Sequence, residues 1–196
     1  MNRALIPPTQ AASDRRDLRR ELRARRRALS PREQRLAATA LARRLLQLPR
    51  VSHASRMGAY TAAGSELSLQ CFLEHCAIER VALPQVVGTH MRFLPASAPK
   101  RRHHLGFEEP YGRRPWAIWS MSVILVPLLG FDAAGNRMGQ GGGHYDRALA
   151  RLRPRRPWLL GIAHDVQELE HVPTQTWDIP LDGIITPTRT ILIQGT

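Results

Sequence analysis

From residue 13 onward, Leu18, Leu22 and Leu29 recur at spacings of four and seven among arginines, which predicts a helix with a narrow apolar stripe on an otherwise cationic surface. Ser30, Pro31 and Glu33 then form a capping box with proline in the first turn, so a second helix is expected from residue 31 to about 48, ended by Pro49. Beyond it the pattern changes to short apolar runs separated by polar or amphipathic stretches. Strands are expected near residues 56–61, 80–84, 90–95, 123–127, 158–163 and 183–186, with a short last strand at 191–193. Helices fit residues 66–78 and 144–152, with a turn near Val166. This alternation predicts an α/β fold: a three-layer sandwich with a central, largely parallel sheet flanked by helices and an N-terminal basic helical segment. The unbroken run VILVP suits a central strand buried on both faces. Residues 1–12 contain Pro7 and Pro8 and show no periodicity, so a flexible leader is expected there, followed by a single domain over 13–196.

With 43% apolar residues over 196 positions, the chain can bury a core as one compact domain. No apolar run approaches the roughly 20 residues of a membrane-spanning helix, and the N-terminus lacks a secretory-type apolar segment, so a cytoplasmic protein is expected. Cys71 and Cys76 lie five apart, do not suit a disulfide framework, and read as reduced and partly buried.

Charge changes the picture more. Up to Arg56, 15 arginines face 4 acids, and the remainder of the chain is nearly balanced. A basic arm of this kind suits nucleic acid or a small polyanion. It lacks the interleaved aromatics of a stacking platform, and its apolar stripes suggest helices packed on a body, which argues against nucleic acid. Residues 96–115 form a polar excursion, better suited to a solvated loop than to a lid. It includes Lys100, Arg101, Arg102, His103 and His104; neighbouring histidines point apart and no third ligand has the right spacing, so no metal is expected there.

The segment FDAAGNRMGQGGGHYDR carries the strongest chemical signal. Gly139, Gly141, Gly142 and Gly143 would let backbone N–H groups converge on an anion, and the helix expected after them adds a positive dipole end. Arg137 offers a fixed fork of donors, and Asp146 would hold a metal that neutralises phosphate. The segment matches neither GxxxxGK[ST] nor a GxGxxG after a strand, and a plain turn also accounts for three glycines in a row. Its place just after VILVP puts it where ligands bind in such sheets.

Several further segments occur with it: Leu18–Arg19 and RRRALS, Ser65–Glu66–Leu67, Leu83–Pro84 then Met91–Arg92–Phe93, Glu109–Pro110, GIAHDVQ, and WDIPLDGIITPT. In order and spacing, from about residue 15 to 188, they resemble the 5-formyltetrahydrofolate cyclo-ligase family, also called 5,10-methenyltetrahydrofolate synthetase. The resemblance implies an ATP-dependent conversion of 5-formyltetrahydrofolate to 5,10-methenyltetrahydrofolate with release of ADP and phosphate, through phosphorylation of the formyl oxygen and closure by N10. Its cofactors would be ATP and Mg2+, its partner a small-molecule folate, and its state a monomer.

By the same resemblance, Arg137, Tyr145 and Asp146 take catalytic positions. Arg137, Met138, Gly139, Gln140, Gly141, Gly142, Gly143, His144 and Tyr145 match the ATP loop, with Gln140 to His144 also near the folate. Arg15, Arg16, Asp17, Leu18 and Arg19 match a segment that reaches the nucleotide phosphates, where Arg15 replaces the family's usual lysine. Asp146 and Asp178 match a magnesium pair, although an aspartate before Ile179–Pro180 also suits a turn cap. Glu66 matches the acid that receives the pterin ring, with helix capping as the plainer role. Met91 and Phe93 suit either the pterin pocket or the core. The surplus charge of Arg23, Arg25 and Arg26 would attract the glutamate tail of polyglutamylated folates. The readings from other classes are a nucleic-acid-binding protein and a divergent ATP-dependent relative acting on another substrate.

Overall fold

A computed structural model describes residues 8–102, 108–150 and 157–193. The basic segment forms helix α1 (Pro8–Arg27), and the capping box starts α2 (Pro31–Gln47): Ser30 accepts from the Glu33 N–H while Glu33 accepts from the Ser30 N–H. A short α3 (Pro49–Ser52) leads into the sheet. In chain order the strands are β1 (Met57–Gly58), β2 (Val81–Val87), β3 (His90–Pro95), β4 (Lys100–Arg102), β5 (Glu108–Pro110), β6 (Val123–Pro127), β7 (Gly130–Phe131), β8 (Arg137–Met138), β9 (Trp158–Ile162), β10 (Gly183–Ile185) and β11 (Thr190–Leu192). Helices α4 (Gln70–Leu73) and α5 (His144–Leu149) complete the set.

Seven strands form one sheet in the order β11-β10-β9-β6-β1-β2-β3. The five inner strands run parallel, and the two edge strands pair antiparallel with β10 and β2. The fold is therefore α/β, with a mostly parallel central sheet as the alternation of the sequence implies. Its layers follow from the period-two alternation of the strands. Val123 and Leu125 of β6 face a cluster with Leu41 and Leu45 of α2 and with Phe72, while Ile124 and Val126 face Phe93, Phe131 and Leu149. Residues 8–12, assigned from sequence to the flexible leader, belong to α1; residues 1–7 lie outside the described residues.

Two other expectations need correction. The helix expected over 66–78 is only one turn, Gln70–Leu73, followed by a 3-10 turn at Ile78–Arg80. Leu67, Leu69 and Phe72 are all buried, which demands inward positions two and three apart rather than one helical stripe, and Ser68 Oγ accepts from the Gln70 N–H. The polar excursion contains a hairpin: β4 pairs with β5, and Arg101 Nη2 lies 2.6 Å from Glu109 Oε1. His103 and His104 lie outside the described residues, as do residues 151 and 152 of the helix expected after the glycines.

Candidate functional site

The chain order reverses direction across the sheet at β1, with β2 placed on one side and β6 on the other. Beyond the carboxyl ends of these strands lies a cavity of about 460 Å³. Tyr60 and Thr61 line it just after β1, Pro84 and Val86 from β2, and Pro127 at the end of β6. Glu66, Met91, Arg137, the glycine loop and Tyr145 close it.

The loop that presents Arg137 is built on Asp132. Its buried carboxylate accepts from the N–H groups of Ala134 and Asn136, from Asn136 Nδ2, and from the Val172 N–H, all at 2.9 to 3.0 Å. Gly135, at φ +85°, is needed to close this turn, because a Cβ there would stand 3.0 Å from the Leu181 carbonyl oxygen. Arg137 emerges from β8 with its guanidinium buried against the Ile179 carbonyl and the Asp146 carboxylate, and Asp146 Oδ1 also accepts from the Ile179 N–H at 3.3 Å. Arg137 is therefore fixed at the cavity wall by partners on two different segments.

Helix α1 carries two adjacent stripes. Leu18 and Leu22 pack on Leu129, Met138 and Val172, which fixes the helix to the body beneath the glycine loop. The neighbouring stripe of Arg15, Arg19, Arg23 and Arg26 then faces the site. Arg15 donates to the Pro173 carbonyl at 2.6 Å and pairs with Asp178 at 3.3 Å. Arg19 Nε donates to the Gly139 carbonyl at 3.0 Å, and Arg23 donates to both the side chain and the carbonyl of Gln140 at 3.2 Å. Burial, with the like charges of Arg15 and Arg23, presses the Arg19 pKa down. An anion placed among these cations would relieve their repulsion.

Glu66 lines the same cavity as Arg137. Its Oε2 accepts from the Ala63 N–H at 3.0 Å, and Oε1 lies 3.5 Å from Gln140 Nε2. The turn it closes is not a helix start, so the capping reading does not apply. The Tyr145 hydroxyl is buried with no hydrogen-bond partner among the described residues. Burial first, then the Glu66 charge, raises its pKa well beyond the ordinary phenol range, so it stays protonated.

Of the residues named from sequence, Met91 lines the cavity while Phe93 is fully buried in the core. Leu18 is a packing residue, Arg16 and Asp17 are exposed, and Asp17 pairs with Arg20. Gln140, Gly142, Gly143, His144 and Asp146 all border the cavity; Gly141, at φ +106°, lies under the Arg19 guanidinium. The tail-binding trio divides, because Arg23 is engaged with Gln140, Arg25 pairs with Glu21, and Arg26 is only 5% exposed. Arg26 is thus no surface cation, since its place on the inward stripe buries it under the 63–67 turn. Tyr60, Glu108 and Glu109 also line the cavity and were not singled out for it from sequence; Tyr60 falls in a mixed run after β1, and only the Glu109–Pro110 pair left a trace.

Asp146 and Asp178 flank Ile179. The hydrogen bonds of Asp178, from Arg15 and from the Gln175 N–H, fall on Oδ2, and those of Asp146 on Oδ1. Among the described residues no group of three or more His, Cys, Asp or Glu side chains forms a metal cage. Mg2+ typically takes one or two carboxylates and completes its shell with water and phosphate oxygens, so this sparse pair is chemically suited to a phosphate-borne ion. No helix among the described residues is long and apolar enough to cross a membrane.

A family model described as the 5-formyltetrahydrofolate cyclo-ligase family matches residues 11–187. The 5-formyltetrahydrofolate cyclo-ligase of Escherichia coli K12 is 32% identical over 177 residues, covering 86% of this chain and 97% of that protein. The Haemophilus influenzae protein of the same name is 26% identical over 189 residues, covering 87% and 96%. Among solved structures, the NMR structure of Aquifex aeolicus 5,10-methenyltetrahydrofolate synthetase superposes with a TM-score of 0.79 at 25% identity, covering 93% of this chain and 94% of that one.

Proposed function

The chain belongs to the 5-formyltetrahydrofolate cyclo-ligase family and is an enzyme of that kind, and on that premise we propose that it is driven by MgATP. In this reading 5-formyltetrahydrofolate is converted to 5,10-methenyltetrahydrofolate, ADP and phosphate in one-carbon folate metabolism. The observation that carries it is that Arg137, Glu66 and the glycine loop line one cavity, with Arg19 and Arg23 of α1 bonded to that loop.

The formyl oxygen attacks the γ-phosphorus, forming a C–O–P bond as the bond to the bridging oxygen breaks and ADP leaves. N10 then attacks the activated formyl carbon, loses its proton, and expels phosphate. This chemistry needs alignment and charge neutralisation more than covalent help. Glu66 accepts from the donor edge of the pterin and sets the folate's position, with Met91 against the ring. Arg137, Arg19 and the N–H groups of residues 139–143 receive the phosphates. The Tyr145 hydroxyl, protonated and unpaired, is available to donate to the oxygen that becomes phosphorylated. Mg2+ held by Asp146, with Asp178 near it, would supply further neutralisation of phosphate charge.

Replacing Arg137 with Met removes a buried cation from the wall of the cavity where charge would develop. A fall in kcat of about 100- to 1,000-fold is expected, with folate binding in the absence of ATP unchanged within about twofold. Steady-state kinetics and a folate titration check both; near-normal kcat in R137M contradicts the assignment.

A further inference from the structure

The Arg26 side chain is an arginine almost wholly withdrawn from solvent, at 5% exposure, without a salt bridge among the described residues. A buried guanidinium is costly unless each donor is used and a negative charge is close. Its Nε donates to Ser65 Oγ at 3.0 Å, and its Nη1 is buried with no hydrogen-bond partner among the described residues. The opposing charge of Glu66 acts against the lowering of the Arg26 pKa by burial. Beside it His164, 3% exposed, also leaves Nε2 without a hydrogen-bond partner among the described residues. The turn above Arg26 is closed by Glu66 itself, through the Ala63 N–H at 3.0 Å, and by the Tyr60 hydroxyl, which donates to the Leu67 carbonyl at 2.5 Å.

We propose that Arg26 is a positioning residue for Glu66: lying under the 63–67 turn, it fixes the carboxylate through Ser65 and through its charge, and so sets the pterin end of the site. The same helix carries Arg19 and Arg23 against the glycine loop, so one rigid element holds both ends of the cavity. Nη1 remains a spare donor, buried and without a partner among the described residues. The proposal rests on Glu66 receiving the pterin.

A double-mutant cycle of Arg26→Met and Glu66→Gln tests it, read as affinity for 5-formyltetrahydrofolate without ATP and as KM for ATP. E66Q weakens folate binding; R26M alone weakens it about tenfold, and R26M added to E66Q costs nothing more, because the effect travels through Glu66. The KM for ATP stays within about twofold in R26M. Additive losses, or an equal rise in the ATP KM, overturn the proposal. Should R26M not yield folded protein, Ser65→Ala serves: about a threefold loss in folate affinity is expected in the wild type and none on E66Q, while equal losses in both overturn the positioning role. If E66Q binds folate normally, the pterin reading of Glu66 fails first and this inference with it; if E66Q weakens binding and both R26M and S65A do not, only this inference fails.

Discussion

His164 shows how a single side chain joins stability to the site. Its ring is buried behind Ser65, and burial first, then the Arg26 charge, lowers its pKa to about 4. The folded state therefore holds a neutral ring while the unfolded chain protonates near pH 6.5. Stability present above that pH is lost as the solution is acidified toward pH 4, at a cost of about 3 kcal/mol. Urea unfolding at pH 6.5 and 5 should show a lower midpoint at pH 5 for the wild type and a smaller drop for His164→Asn; equal drops contradict the assignment. The sequence made Arg137 and Asp146 legible because glycine, arginine and aspartate at fixed offsets carry a mechanism. It gave no sign that Arg26 is buried, since one arginine among many on a cationic helix differs from its neighbours only by the face it occupies.

At the scale of elements, the glycine loop separates into residues that make backbone conformation possible and one that leaves room. Gly143 enters α5 at φ +61°, and a Cβ there would meet Arg147 Nη1 at 2.8 Å; Gly139 has no atom within 4 Å of a built Cβ. Gly143→Ala should therefore cost about 1 to 2 kcal/mol of folding free energy. Gly139→Ala should fold with wild-type stability yet bind ATP about tenfold more weakly, because its methyl would stand in the proposed phosphate cradle. Thermal unfolding with and without ATP separates the two; a destabilised G139A with normal ATP affinity contradicts this division. The strand pattern was readable because VILVP is apolar at every position and WLLGI and GII are likewise short apolar runs. The 66–78 segment was misread as a helix because its leucines and phenylalanine fit a helical stripe as well as an irregular turn, and only packing under α2 decides between them.

For the whole molecule, the charge asymmetry becomes an architectural feature. The basic arm is docked on the body by Leu18 and Leu22, and Arg15, Arg19, Arg23 and Arg26 are turned toward the cavity side rather than spread for a nucleic-acid backbone. Of the cations assigned to a polyglutamate tail, Arg23 and Arg25 remain outside the buried cluster. Neutralising both should lower the preference for a polyglutamylated over a monoglutamyl substrate about threefold; an unchanged preference removes tail binding from the account. The order of segments along the chain was legible as a family pattern, but their convergence was not: Glu108 and Glu109 reach the cavity only because the polar excursion folds into a hairpin.

The central claim is that Arg137, Glu66 and the glycine loop together serve one ATP-dependent ring closure. Mixing the purified protein with 5-formyltetrahydrofolate and MgATP, and following absorbance in the methenyl-folate band, tests it directly. Product should accumulate only when ATP is present, with one ADP formed for each methenyl group. Absence of product from folded protein, or product formed equally without ATP, would contradict the account.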